Sequence, residues 1–234
     1  MRQAEKVDLG SDDWTMEIRP YASAFHFPIK ELWEYRDLLF LFVRRDFKTM
    51  YKQTILGPAW ILLSPLLTTG MFSLIFGRIA GISTDGTPAF LFYMAGNILW
   101  NYFSSCLSAA SSTFIGNAGL FGKVYFPRIV VPASSAVSKL ITFGAQFLLF
   151  LILLFYSLGS GQVRITWLCL MTPILLVMLA LLAIGTGMIL ASLTAKYRDL
   201  QVLVGFGIQL WMYASPIVYP LSQIPGKWRI LLSL

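Results

Sequence analysis

Five neutral polar side chains recur at helical spacing inside an otherwise apolar stretch: Asn97, Asn101, Ser104, Ser108 and Ser111, at steps of 4, 3, 4 and 3. On one helix they fall within about an 80° arc. Two amides and three hydroxyls on one face are costly toward lipid, so that face meets protein or water. It supplies either interhelical hydrogen bonds or the wall of an uncharged polar conduit, a chemistry suited to a hydroxyl-rich solute. Trp100, Tyr213 and Tyr219 belong to a set of aromatics near the ends of apolar runs. By default such residues form an interfacial belt, and their number also permits stacking on sugar rings.

A second constellation is cationic. Arg44, Arg45, Lys48 and Lys52 run straight into a stretch that carries no charge until Arg78. A basic flank feeding such a span marks a cytoplasmic membrane boundary. Cations there attract anionic headgroups. Between the cluster and the span stands Leu56-Gly57-Pro58. Proline is tolerated at a helix start and Gly57 frees the backbone before it, which makes the triplet a hinge candidate.

Catalytic chemistry finds no support. His26 is alone in the N-terminal tail, Asp46, Asp85 and Asp199 fall in separate segments, and no HExxH motif or Ser/His/Asp set can be assembled. Residues 117–124, NAGLFGKV, resemble a P-loop but begin with Asn and place Val124 after Lys123. No hydroxyl follows to hold Mg²⁺, and an apolar helix rather than a strand precedes the run. Any ATP that drives the protein is therefore expected to be hydrolysed by a partner, with no cofactor bound by this chain and no metal site.

The elements that position these residues follow from composition. Of 234 residues 57% are hydrophobic and 12% charged, against about 25% charged in a soluble domain. This points to an all-α, polytopic membrane protein. The net charge of +7 does not indicate nucleic acid, because the basic residues cluster beside apolar runs. Cys106 and Cys169 both fall inside expected spans and form no CxxC pattern. Five charge-free runs are long enough for a bilayer core of about 30 Å. The expected spans are 54–77, 88–113, 134–157, 166–193 and 201–219. Their continuity excludes a β-barrel.

Residues 1–30 read as a cytosolic tail without the apolar core of a signal peptide, so the first span is expected to act as its own insertion signal. Residues 31–52 read as an amphipathic interface helix. Leu32, Tyr35, Leu39, Phe42, Val43, Phe47 and Met50 share about a 140° arc, expected in lipid, with the basic side toward headgroups. Nine Lys and Arg fall in the internal segments against four in the external ones, which places the N-terminus inside. Lys139, about two turns into the third span, is expected to snorkel to the cytosolic face. Ala183, Gly187 and Ala191 form a close-packing row. The internal loop 119–132, basic, aromatic and bounded by glycine and proline, offers a docking surface for a cytosolic partner or a plain connection. Residues 220–234, with Pro220, Pro225 and Trp228, read as an external re-entrant segment.

Four motifs in order resemble one family. They are Arg44-Arg45-Asp46-Phe47-Lys48 with Tyr51-Lys52-Gln53 and Leu56-Gly57-Pro58-Ala59-Trp60; Lys123-Val124-Tyr125-Phe126-Pro127-Arg128; Lys196-Tyr197-Arg198-Asp199-Leu200; and Ser215-Pro216-Ile217-Val218-Tyr219-Pro220. Each is weak alone. Together they are similar to the ABC-2-type permeases that export O-antigen, capsule and teichoic acid, over roughly residues 30–234. The resemblance implies a permease of the cell inner membrane that dimerises and binds two copies of a cytosolic ABC ATPase, where ATP and Mg²⁺ reside. The cargo it implies is a polysaccharide on a polyprenyl diphosphate.

On the same basis Leu56, Gly57 and Pro58 become cytosolic gate candidates. Arg44, Arg45 and Lys48 become candidates for the lipid diphosphate. Glu34, Asp37, Lys123, Tyr125 and Arg128, on the interface helix and the 119–132 loop, become candidates for coupling to the ATPase. The family has a sixth span where this sequence holds five, through truncation or absence of the closing helix. Three other readings are an ABC-2 permease for a small lipophilic or lipo-oligosaccharide cargo, a membrane-bound transferase, which would need acid/base residues, and a structural scaffold.

Overall fold

A chain that crosses a bilayer must satisfy every backbone polar group internally, and a helix does so within one segment. The computed structural model describes residues 29–51, 57–159, 161, 163, 167–220 and 222, and among them every regular element is helical. Helix α1 spans Ile29–Glu34 and α2 Arg36–Tyr51. Helix α3, Ala59–Phe72, continues as a π-helical turn, Ser73–Ile79. Then follow α4 (Ala89–Ser111), the short α5 (Thr113–Gly116) and α6 (Ala118–Phe121), and α7 (Val130–Gly159). A 3₁₀ turn at Trp167–Met171 leads into α8 (Thr172–Lys196), and α9 runs Leu200–Ala214. Of the expected tail 1–30, residues 1–28 lie outside the described residues and Ile29 and Lys30 open α1; Lys52 and Leu56 also lie outside, as does all of the 220–234 segment but Pro220 and Ser222.

Ala59–Ile79, Val130–Gly159 and Cys169–Lys196 are long and apolar enough to cross a membrane. The molecule is an all-helical, polytopic membrane protein. Helix ends depart from the sequence expectation where proline acts. Helix α9 stops at Ala214 rather than near 219, because Ser215 precedes Pro216 and takes the extended backbone (φ −83°, ψ 148°) that such a residue prefers. Helix α7 starts four residues before the expected 134, since Pro132 falls in its first turn, where a missing N–H costs nothing.

Helix α4 is the hub. It packs against α3, α7, α8 and α9. Its Tyr93, Met94, Ile98, Phe103, Cys106 and Leu107 are buried, and the core extends through Ala136 and Phe143 of α7 and Ala183 of α8. The α8 row of small residues makes the closest approach. Ala183, Gly187 and Ala191 are buried, and a Cβ on Gly187 would meet Ala110 Cβ and, at 3.2 Å, the Leu107 carbonyl. Thr194 Oγ1, one turn on, donates to the Ser111 carbonyl at 2.9 Å. The outer faces of α8 and α9 stay apolar and exposed, with Ile189 at 67% and Val202 at 76%, the composition a lipid or a further helix covers.

Gly187→Val is expected to force α4 and α8 apart and cost about 1–3 kcal/mol, read as earlier thermal unfolding in detergent. Gly185→Ala, whose Cβ meets nothing within 4 Å, is expected to show no such loss.

Candidate functional site

Helix α3 opens on a backbone break. Gly57 adopts φ +46°, a left-handed conformation open to glycine at little cost, and Pro58 follows at φ −62°, preset for a helical start. Nearly two turns in, a second proline changes the hydrogen bonding. Pro65 is buried inside α3 and has no N–H, so the Ile61 carbonyl four residues earlier loses its helical donor. Gln146 of α7 fills the gap, its Nε2 donating to the Ile61 carbonyl at 3.2 Å. The start of α3 is thereby tied to α7.

Ile61 and Gln146 both line a cavity of about 270 Å³ between α3, α4 and α7. Gly57, Trp60, Ile61 and Ser64 line it from the first span, Asn101, Tyr102 and Ser105 from α4, and Lys139, Thr142, Phe143 and Gln146 from α7. The lining is amide, hydroxyl and aromatic, with a single cation and no carboxylate. Such a surface binds sugar hydroxyls or water, and Lys139 adds an attraction for anions.

The α4 polar residues divide. Asn101 lines the cavity, in company with Ser105 one turn away. Asn97 is 3% exposed, and its Nδ2 has no hydrogen-bond partner among the described residues. Ser104 Oγ bonds the Asn101 carbonyl at 3.3 Å, and Ser111 Oγ the Ser108 carbonyl at 2.9 Å. Ser108 itself is exposed. Trp100 lies against Trp211 of α9 (centroids 6.4 Å apart), and Phe103 meets the same indole edge-on at 5.2 Å. Tyr213 is exposed, while the Tyr219 hydroxyl donates to the Ala214 carbonyl at 3.1 Å and so caps the end of α9.

The basic cluster occupies the last turns of α2. Arg44, Arg45 and Lys48 are exposed. Arg45 Nη2 lies 2.9 Å from Asp46 Oδ1 and its guanidinium sits 4.8 Å from the Phe42 ring centroid. Arg44 and Lys48 have no acidic partner among the described residues. The face of α2 expected in lipid is partly taken by protein. Phe42 is 5% exposed and packs with Phe126, Val130 and Val131, joined by Leu32, Tyr35, Leu39 and Phe121. Aromatic contacts make the join: Phe42 to Phe126 at 5.8 Å and Phe126 stacked on Phe121 at 5.3 Å. The interface helix and the 119–132 loop therefore form one packed unit. Around it Glu34, Asp37, Lys123, Tyr125 and Arg128 are exposed, with Arg128 over the Phe114 ring at 5.7 Å.

Sequence reasoning missed the second polar wall. Ser135, Ser138, Lys139, Thr142 and Gln146 recur at steps of 3, 1, 3 and 4 on α7, within about a 100° arc. The signal was the same periodicity that singled out α4: all five residues lie inside the expected span 134–157, where Lys139 alone was weighed.

The Pro65–Gln146 pairing is directly testable. Gln146→Leu is expected to leave the Ile61 carbonyl bare and cost about 1–3 kcal/mol, read as thermal stability in detergent. In a Pro65→Ala background, where residue 65 again supplies an N–H, the same substitution is expected to be near neutral.

Comparison with known proteins places this geometry. Residues 37–234 match the family described as ABC-2 type transporter. Among curated proteins the chain is 32% identical over 199 residues to an O-antigen export system permease protein RfbA of Myxococcus xanthus, covering 85% of this chain and 74% of that one. Two RfbA proteins of Klebsiella pneumoniae, also named as O-antigen export system permeases, are 27% and 29% identical over 84% of this chain. A match across this much of the sequence means that the chain belongs to the ABC-2 transporter family, as a membrane-embedded transport subunit.

Proposed function

We propose that this chain is the channel-forming subunit of an exporter that moves polysaccharide linked to a polyprenyl diphosphate out across the cytoplasmic membrane. ATP hydrolysis in a separate subunit drives it. The observation that carries the reading is the cavity at the Gly57 break, lined by Asn101, Ser105, Thr142 and Gln146, in a chain whose relatives in Myxococcus xanthus and Klebsiella pneumoniae are named for O-antigen export. A neutral lining with aromatic walls suits a glycan, which offers hydroxyls and apolar ring faces.

In this reading the N-terminus is cytosolic. Arg44, Arg45 and Lys48 draw the diphosphate to the interface. Leu56, Gly57 and Pro58 form the cytosolic gate. Two copies of an ABC ATPase dock from the cytosol against α2 and the 119–132 loop, whose exposed Glu34, Asp37, Lys123, Tyr125 and Arg128 supply polar contacts. A groove of about 410 Å³ lined by Phe121 and residues 124–129 receives part of the partner. Motion of that surface passes through Phe126 and Phe42 into α2, which packs on α7. A second copy of the chain covers the exposed apolar faces of α8 and α9 and closes the channel.

The test is reconstitution with the ATPase subunit in proteoliposomes. The permease alone is expected to hydrolyse no ATP, and the complex to be stimulated by lipid-linked glycan. Phe126→Ala is expected to lower the stimulated turnover at least fivefold while glycan-lipid binding stays within twofold. Robust turnover by the permease alone, or stimulation that survives loss of Phe126, would contradict this account.

A further inference from the structure

Lys139 lies nine residues into α7, about 14 Å along its axis. A cation at that depth is costly unless it faces water or an anion. The ion pairs among the described residues are Arg36–Asp37 and Arg45–Asp46, so Lys139 has no carboxylate partner there. It does face two cavities. One is the 270 Å³ space beside Asn101 and Thr142. The other, of about 510 Å³, lies toward the interface helix and is lined by Arg45, Asp46, Phe47, Thr49, Ala109, Ser135, Ser138 and Lys139. Lys139 is common to both linings.

Hydroxyl residues share both linings with Lys139. Ser135 and Ser138 line the outer cavity and Thr142 the inner one. Ser138 Oγ is buried without a hydrogen-bond partner among the described residues, a group that ordinarily finds one. In the outer cavity Asp46 is already held by Arg45. The net demand of the site is thus for a multivalent acceptor, and a phosphate group meets it with several oxygens at once.

We infer that Lys139, with Ser138 and Thr142, is a binding station for the phosphate of a lipid headgroup, which it hands from the interface cavity to the inner one. Two lipids carry that chemistry, a polyprenyl diphosphate carrier and the anionic phospholipids of the bilayer. The site serves the carrier, because the inner cavity is also the glycan-compatible one. This assignment rests on the function proposed above and extends it from the surface cluster at Arg44, Arg45 and Lys48 to a residue inside the helix bundle.

The full chain in nanodiscs of phosphatidylcholine, titrated with a radiolabelled short-chain polyprenyl diphosphate, tests it. Lys139→Gln is expected to weaken binding about tenfold, the loss of one charged hydrogen-bonding partner. Lys139→Arg is expected to stay within threefold of the native chain. Phosphatidylglycerol is expected to displace the probe only in large excess. Should Lys139→Gln fail to assemble, Ser138→Val with Thr142→Val keeps the charge and is expected to weaken binding at least threefold. Native-like affinity in the variant that assembles overturns the inference while leaving the export function standing. Displacement by phosphatidylglycerol mole for mole assigns the site to bulk lipid and overturns it too. Failure of the native chain to retain the probe removes the proposed cargo itself.

Discussion

A polar group inside a bilayer must find a partner within the protein, and that constraint shapes this structure. Helix α4 carries two amides, a row of serines, two tyrosines and a tryptophan, more polarity than lipid tolerates along a whole helix. It is therefore wrapped by α3, α7, α8 and α9, whose outer residues are apolar. The small residues of α8 exist at the one place where α4 must come closest. Pro65 creates the same demand on a smaller scale, and Gln146 answers it from another helix.

Satisfying polarity between helices leaves space where side chains of unequal length meet. The cavity at Gly57 is such a place. Its walls are the residues that cannot face lipid, Asn101 and Ser105 from one side and Lys139, Thr142 and Gln146 from the other. The break at Gly57 and Pro58 stands at its edge, so a change in backbone there changes the mouth of a polar space rather than a dry interface. Helix α2 reaches the same region from outside through Arg45 and Thr49. The aromatic stack of Phe42, Phe126 and Phe121 holds α2 to the 119–132 loop.

Much of this was legible before any coordinates. Charge-free runs located the helices, because apolar length is a property of sequence alone. The α8 row of Ala183, Gly187 and Ala191 was visible for the same reason. Helix ends were less so: α9 stops early at Ser215-Pro216, a local backbone effect that hydropathy does not weigh. The division of the α4 stripe was hidden, since periodicity shows which residues share a face but not which neighbour covers each turn. Asn97 and Asn101 are one turn apart, yet one is enclosed and the other lines a cavity. Lys139 was read as a snorkelling residue because the second cavity appears only once α2 is packed on α7. Gln146 depends on Pro65, 81 positions away, a pairing that no window along the chain contains.

We propose that the glycan-lipid enters at the cavity between α3, α4 and α7. Site-specific photocrosslinking measures this most directly. A photoreactive side chain at position 101, in the complex with its ATPase and supplied with lipid-linked glycan, is expected to label the glycan-lipid. The same group at position 189, on the exposed apolar face of α8, is expected to label phospholipid or a second copy of the chain. Absence of glycan-lipid adducts at 101, or equal labelling at 189, would contradict the account.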